Sequence, residues 1–295
     1  MNIKKIILSI FIISCSIISS QTMNIVGKDT LINVGNIRLN FNIIKGGSTT
    51  IIFEAGGGMD LTEWSKIVPI VAKNTGATVV SYDRAGYGKS DLPDEPINMK
   101  VEAGWLWDCL KQLGLNKNLI LAGHSYGGWM IRMISSEHPD VIKGMVFIDP
   151  FTNEVVELVG AEQYDAWQKP QSARRFGLDP SEDFNKILSD PIRLKTFSKI
   201  QRATLRFWGE GGTRGKYETM KNTKIPAGIP VKVITSGKQW LLPDFWKIWR
   251  LSHERLTKSL PGAELIVAEK SDHMIPISQP EIVIDAINGI FHLMK

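Results

Sequence analysis

The stretch Asn118-Leu-Ile-Leu-Ala-Gly-His-Ser-Tyr-Gly-Gly128 decides the fold of this chain. A short apolar run ends in Gly-His-Ser-Tyr-Gly, and a segment with a helical pattern follows at once. G-x-S-x-G is typical of a sharp strand-to-helix turn that exposes a serine hydroxyl. Glycine at 123 and 127 removes Cβ atoms that would crowd the strained serine. The stretch predicts that Ser125 is a nucleophile; the alternative is a glycine-rich turn with a chance serine.

Strand-like and helix-like segments alternate on both sides of this stretch. Strands are predicted over 49–54, 77–83, 119–122, 144–149, 230–235 and 263–268. Helices are predicted over about 62–73, 98–113, 126–137, 245–259 and 281–293, and a hairpin over 29–46 turns at Gly35-Asn36. Such alternation predicts an α/β fold with a mostly parallel central sheet and helices on both faces. Ligands bind such sheets at the carboxyl ends of the strands.

The alternation stops between 151 and 225. This segment is polar, helical in patches and without a clear strand. It predicts a helical cap inserted into a core formed by 21–150 and 226–295, and 295 residues suit one such domain. Aromatic residues in the cap, with Trp240 nearby, predict a partly apolar pocket. The alternative is that these aromatic residues only pack the cap onto the core.

The N-terminus is typical of an export signal. Lys4 and Lys5 precede an apolar run from 6 to 18, and Ser19-Ser20-Gln21 follows. This pattern predicts a signal peptide over 1–20 and a secreted or periplasmic protein. A membrane anchor is the alternative, but the run is shorter than the roughly 20 residues of a spanning helix. The residues around Cys15 also resemble a lipoprotein processing box, although the apolar residues after it favour ordinary cleavage.

Charge and cysteine content exclude some classes of protein. The net charge is +5, and the basic residues are scattered, so nucleic-acid binding is not expected. If residues 1–20 are removed, Cys109 is the only cysteine left. No internal disulfide is therefore expected.

A serine nucleophile needs a base, and histidine is the usual one. The chain has five histidines. His124 adjoins Ser125 and is expected to point away from it. Only His273 lies in a loop just after a strand near the end of the chain, where the third member of a Ser-acid-His series is expected. The alternative for His273 is a surface or capping residue.

The acid that would orient His273 is less obvious. The usual place is the loop after the next-to-last strand, but Ser236-Gly-Lys-Gln-Trp240 contains no carboxylate. Asp149, at the end of the strand that follows the helix after Ser125, is the predicted acid, and Asp244 and Glu154 are the runners-up. Asp149 could instead be a turn residue before Pro150.

Two backbone amides are predicted to form an oxyanion hole. One belongs to Tyr126, the residue after the serine, and the other to Gly57 in the Gly56-Gly57-Gly58 loop. Glycine lets the backbone approach a substrate closely. A phosphate-binding loop is the rival interpretation, but no Gly-Lys-Ser/Thr follows.

Residues 49–293 resemble the α/β-hydrolase fold superfamily. The resemblance rests on Gly123-His-Ser-Tyr-Gly-Gly128, Ser271-Asp-His273, and Ser81-Tyr-Asp-Arg-Ala-Gly-Tyr-Gly-Lys-Ser90, which is similar to the family's Asp-x-x-Gly-x-Gly-x-Ser turn. In that turn Asp83 and Arg84 are expected to be structural. The chain departs from the family at Ala55, where a histidine is frequent, and in the acid missing after Thr235. Some members place the acid one strand earlier, as Asp149 would be.

The resemblance implies a serine hydrolase, most simply a carboxylic ester hydrolase that acts on a small, partly apolar molecule through an acyl-enzyme. It implies no metal and no cofactor. The family's dehalogenases and epoxide hydrolases use aspartate where Ser125 stands. Amide, lactone and carbon–carbon bond cleavage are alternatives, as are an acyltransferase and a non-catalytic binding protein or receptor on a retained scaffold.

Overall fold

One eight-stranded sheet forms the centre of the molecule. The computed structural model describes residues 27–94, 98–209, 212–240 and 242–294, so the predicted signal peptide over 1–20 and Cys15 lie outside the described residues. The strands are β1 (Lys28–Val34), β2 (Ile37–Ile44), β3 (Gly47–Glu54), β4 (Ala77–Tyr82), β5 (Leu119–His124), β6 (Ile142–Ile148), β7 (Val231–Ser236) and β8 (Glu264–Ala268).

The strand order is β1-β2-β4-β3-β5-β6-β7-β8. The hairpin β1–β2 is antiparallel, and so is the pairing of β2 with β4. All later pairs are parallel. The α/β fold with a mostly parallel sheet is therefore confirmed, and the carboxyl ends of β3, β5, β6, β7 and β8 lie along one edge.

Helices cover both faces of the sheet. They are α1 (Val68–Thr75), α2 (Met99–Leu113), α3 (Tyr126–Glu137), α4 (Asn153–Val159), α5 (Ala161–Arg175), α6 (Phe184–Leu188), α7 (Pro191–Leu194), α8 (Lys199–Gly209), α9 (Gly212–Met220), α10 (Pro243–Ser259), α11 (Ile275–Ser278) and α12 (Pro280–Leu293). One apolar cluster joins α1 and α12 to the sheet. The other joins α2, α3, α10 and the insertion helices to the opposite face. The sheet is thus buried on both faces, as its long apolar strands require.

Local sequence explains where the first helices begin and end. Asn98 caps α2 by accepting a hydrogen bond from the Val101 amide, and Gly114 ends it in the left-handed conformation with φ 69°. The helix predicted over 62–73 is divided: a 3-10 turn covers Leu61–Trp64, and α1 begins only at Val68. Pro69 explains the division, because proline fits the first turn of a helix but not its interior.

The helical insertion predicted between two sheet strands is present. Six helices, α4 to α9, lie between β6 and β7, and the described residues between these strands contain no further strand. Core limits at 150 and 226 stay predictions. In the described part of the chain, no helix is both long and apolar enough to cross a membrane.

Candidate active site

The turn between β5 and α3 has the geometry of a nucleophile elbow. Ser125 has φ 50° and ψ −117°, a conformation that side chains other than glycine rarely adopt. A Cβ on Gly123 would lie 2.4 Å from the Gly127 carbonyl oxygen, and one on Gly127 would lie 2.3 Å from the Glu54 carbonyl oxygen. The glycines therefore let the elbow close on itself and pack against β3.

Three predicted side chains meet at the carboxyl edge of the sheet. His273, in the turn between β8 and α11, places Nε2 3.0 Å from Ser125 Oγ. Its Nδ1 lies 2.7 Å from Oδ2 of Asp149, which directly follows β6. Nδ1 therefore donates to the carboxylate, and the Nε2 lone pair faces the serine hydroxyl. This arrangement can remove a proton from Ser125.

Asp149 is fully buried, and the protein surrounds it with donors. Oδ1 accepts a hydrogen bond from the Ser236 amide at 2.8 Å, and Oδ2 accepts one from Trp249 Nε1 at 3.0 Å. Burial alone would raise the pKa of Asp149, but hydrogen bonding to His273, the charges of His273 and His253, and the Ser236 amide lower it overall. The carboxyl group is therefore held ionised.

The runners-up for the acid lie elsewhere. Asp244 has a side chain that is 91% exposed, and its ion-pair partner is Lys247. Glu154 pairs with Arg132 at 3.4 Å. The last residue of β7 contributes the Ser236 amide to the site, and the loop after β7, which lacks a carboxylate, contributes the Trp240 ring.

Two tryptophans enclose the imidazole of His273. Trp240 stacks on it with ring centres 4.1 Å apart and planes 16° from parallel, and Trp249 meets it edge-on. Burial lowers the pKa of His273; the Asp149 hydrogen bond acts in the opposite direction, and the positive charge of His124 lowers the pKa further. The imidazole is thus held in its neutral, basic form.

The two predicted oxyanion donors lie next to each other. An ideal Cβ on Gly57 would be 3.7 Å from Tyr126 Cβ, and both residues line a cavity together with Ser125. Within the described ranges, neither amide donates a hydrogen bond to another group of the chain. Both donors are therefore available to a substrate oxygen.

Several residues at the site were missed by sequence reasoning. Glu63 binds His124, which points away from Ser125 as expected. Arg84 contacts the loop that contains Gly57, so it does more than shape its own turn. The buried His253 lies 3.7 Å from Asp149. In the sequence, Glu63 and Arg84 lie in or near the glycine-rich turns, and His253 lies on a predicted helix. These positions do not indicate contacts across the fold.

The cavity above Ser125 has a volume of about 400 Å³. Insertion helices α5, α8 and α9 supply much of its wall. Its aromatic lining consists of Tyr87, Tyr126, Phe151, Tyr164, Phe176, Phe207, Trp208, Trp240 and Trp249. Polar and charged side chains, including Gln168, Arg175, Lys216 and Asp272, are interspersed. Among the described residues, no cluster of three or more His, Cys, Asp or Glu side chains could hold a metal ion.

Curated proteins similar to this chain have different functions. An uncharacterised protein of Bacillus subtilis, YqjL, is 31% identical over 84% of this chain and 85% of its own length. A fluoroacetate dehalogenase of a Burkholderia species is 24% identical over 88% of this chain and 95% of its own. A probable transporter of Hormonema carpetanum is 25% identical over 89% of this chain, which spans only 42% of that larger protein.

Solved structures share the fold at lower identity. A putative epoxide hydrolase from Pseudomonas aeruginosa has a TM-score of 0.64 and 17% identity, covering 90% of this chain and 96% of its own. A sequence model of the alpha/beta hydrolase fold matches residues 49–221, which is more than half of the chain. The chain belongs to the alpha/beta hydrolase fold family.

Proposed function

We propose that this protein is a serine hydrolase that cleaves carboxylic esters through an acyl-enzyme. The proposal rests on one observation. A continuous hydrogen-bonded path runs from Ser125 Oγ through His273 to Asp149, beside the unengaged amides of Gly57 and Tyr126. A nucleophile, a base, an orienting acid and two oxyanion donors are the parts that acyl transfer needs.

Each group has a role in the proposed reaction. His273 Nε2 takes the proton as Ser125 Oγ attacks the ester carbonyl carbon, and Asp149 stabilises the resulting imidazolium. The carbonyl oxygen becomes an oxyanion against the amides of Gly57 and Tyr126. His273 then gives the proton to the leaving alcohol. Water attacks the acyl-enzyme by the same route and releases the acid.

The cavity supports a small, partly apolar ester as substrate. Aromatic rings dominate its lining, and a volume of about 400 Å³ suits a small organic molecule. Dehalogenases and epoxide hydrolases of this fold use an aspartate where this chain has Ser125, so neither activity is expected of this protein. The absence of an acid after β7 would favour a non-catalytic receptor. The contact of Asp149 with His273 at 2.7 Å supports an enzyme instead.

A fluorophosphonate probe tests the nucleophile. Purified protein should be labelled covalently, and Ser125→Ala should not be labelled under the same conditions. Equal labelling of both proteins, or none of the wild type, would refute the proposal. A series of p-nitrophenyl esters of increasing acyl length then gives the substrate preference, and added alcohols separate hydrolysis from acyl transfer.

We infer separately that the protein is exported. The support is the sequence pattern of residues 1–20, with Lys4 and Lys5 ahead of an apolar run. Expression of the full chain in a bacterial host, followed by cell fractionation and N-terminal sequencing, tests it. A periplasmic product that begins near Gln21 is expected. An intact N-terminus in the cytoplasm would contradict export, and a product lipidated at Cys15 would show anchoring instead of release.

A further inference from the structure

Gly56 is held at both of its peptide groups, through its N–H and through its carbonyl oxygen. Its amide donates to Glu63 Oε2 at 2.9 Å. Its carbonyl oxygen accepts from Arg84 Nη2 at 2.5 Å and from the Met59 amide at 3.2 Å. Arg84 Nη1 also binds the Ala55 carbonyl oxygen at 2.5 Å. Glu63 and Arg84 are both almost fully buried, so these contacts are shielded from water.

The contacts on the Gly56 carbonyl fix the direction of the Gly57 amide. In a trans peptide, the carbonyl of one residue and the N–H of the next point in opposite directions. No peptide bond in the described residues is cis. With the Gly56 carbonyl turned to Arg84, the Gly57 N–H points the opposite way, and Gly57 lines the cavity that contains Ser125. Arg84 thus orients the Gly57 amide, the predicted oxyanion donor, through the Gly56 carbonyl.

The second oxygen of Glu63 leads to the other half of the site. Glu63 Oε1 lies 2.6 Å from His124 Nδ1, and His124 Nε2 lies 2.8 Å from the His273 carbonyl oxygen. His124 also packs closely on the oxyanion loop, because a Cβ on Gly56 would lie 2.9 Å from its Nδ1. One buried carboxylate therefore connects the Gly56 amide with the backbone of the base.

The charges of this pair are mutually consistent. Burial opposes the charge on both groups, but attraction and hydrogen bonding between them lower the pKa of Glu63 and raise that of His124. A protonated His124 donates through both ring nitrogens, to Glu63 and to the His273 carbonyl. Every contact in the path then has a donor and an acceptor.

We propose that Glu63 is a positioning residue for catalysis. It holds the Gly56 amide while Arg84 holds the Gly56 carbonyl, so that the Gly57 amide stays in place, and it holds the His273 backbone through His124. The inference rests on the proposed serine-hydrolase function. Glu63 does not line the cavity and does not contact the reacting atoms. Its loss should therefore change kcat and oxyanion binding more than KM.

Two substitutions of Glu63 separate the length of its side chain from its charge. Glu63→Asp keeps the charge but is one methylene too short to contact Gly56 and His124 together. Glu63→Gln keeps the reach, because its oxygen can accept from Gly56 and its amide can donate to a neutral His124, whose Nε2–H still binds His273. We expect Glu63→Asp to lower kcat about tenfold to a hundredfold, as ångström-scale misplacement does, while KM changes little and Glu63→Gln stays near wild type.

A trifluoromethyl ketone gives an independent readout. Ser125 Oγ adds to its carbonyl carbon, the proton passes to His273, and the ketone oxygen becomes an oxyanion at Gly57 and Tyr126. Its affinity should fall in Glu63→Asp in parallel with kcat and persist in Glu63→Gln. Ile287→Val, a core substitution outside the cavity, controls for lost stability, which thermal unfolding measures in each variant.

The outcomes are distinct. Wild-type kcat and ketone affinity in Glu63→Asp would overturn the inference, as would equal damage in both Glu63 variants. If Glu63→Asp does not fold, a loss of kcat or ketone affinity in Glu63→Gln overturns it alone, and their retention supports it. Wild-type protein that neither turns over esters nor reacts with fluorophosphonate would instead reject the proposed function.

Discussion

The carboxyl edge of the sheet and the helical insertion build the same cavity in different ways. At the edge, side-chain hydrogen bonds of 3.0 Å or less connect Ser125, His273 and Asp149. The insertion presents aromatic rings interspersed with polar side chains, and Trp208 on α8 uses its Nε1–H to bind Ser172 on α5. The edge fixes orientations, whereas the insertion fixes shape.

This difference predicts which measurements each region controls. Substitutions at the edge should change the rate for every substrate, because they alter groups that take part in each bond rearrangement. Substitutions in the insertion should change the ranking of substrates, because apolar walls discriminate by size.

Asp149→Asn should have the largest effect. An asparagine cannot stabilise the imidazolium and favours the wrong tautomer of His273, so kcat should fall by about 10⁴-fold, as when other triads lose their acid. Steady-state kinetics with a p-nitrophenyl ester measures the loss. Asp244→Asn is the matched control, since that side chain is 91% exposed and pairs with Lys247, and it should be near wild type. Near-normal rates in Asp149→Asn with a severe loss in Asp244→Asn would reject the assignment.

Protonation of His273, at the carboxyl edge of the sheet, should change kcat/KM less than Asp149→Asn changes kcat. Only neutral His273 can accept the serine proton, and burial lowers its pKa below the ordinary 6.5. The rate constant kcat/KM should therefore hold as pH falls to 6.5 and drop only below it, by about tenfold per pH unit.

The groups that set this limb are Asp149, His124 and Glu63, which surround His273. Initial rates at low substrate concentration, measured from about pH 5 to about pH 8, where histidine titrates, give the profile. An acid limb centred above 6.5 would show that the carboxylates outweigh burial.

Phe207→Ala should have the smallest effect on rate and the clearest effect on preference. Phe207, on α8, packs edge-on to Tyr126 at 4.9 Å and lines both the main cavity and a smaller one beside Arg84. Removing the ring should extend the main cavity toward the smaller one, so the ratio of kcat/KM for long against short acyl esters should rise about tenfold. Ile192 lies in the same insertion and is 83% exposed, so Ile192→Ala should leave the ratio unchanged. Equal losses for all chain lengths would contradict the division between edge and insertion.

The fold and the three triad candidates were accessible from sequence for a local reason. Gly123 and Gly127 report a steric need two residues on either side of Ser125, and Asp149 and His273 each follow a readable strand. The parallel sheet then brings those strand ends together without further information. Their distances agree with the prediction, while their catalytic roles stay proposals until tested.

The supporting contacts were not accessible because they join distant segments. Glu63 and His124 are 61 positions apart, and Asp149 and Trp249 are 100 apart. No local pattern distinguishes a glutamate in a 3-10 turn that binds a buried histidine from one that faces solvent. The departure at Ala55 was visible, but the use of Arg84 to hold that loop depends on packing between β3 and β4.

The Phe151 amide donates to the Ser125 carbonyl oxygen at 2.8 Å, so the chain just before α4 is hydrogen-bonded to the backbone of Ser125. This contact sets the splice point for chimeric enzymes. A foreign cap can be grafted from Thr152 onward with the elbow intact. A graft that places proline at 151 would delete the donor and leave the elbow carbonyl without this partner. Cap exchange in this scaffold should therefore begin one residue later than the end of the sheet core suggests.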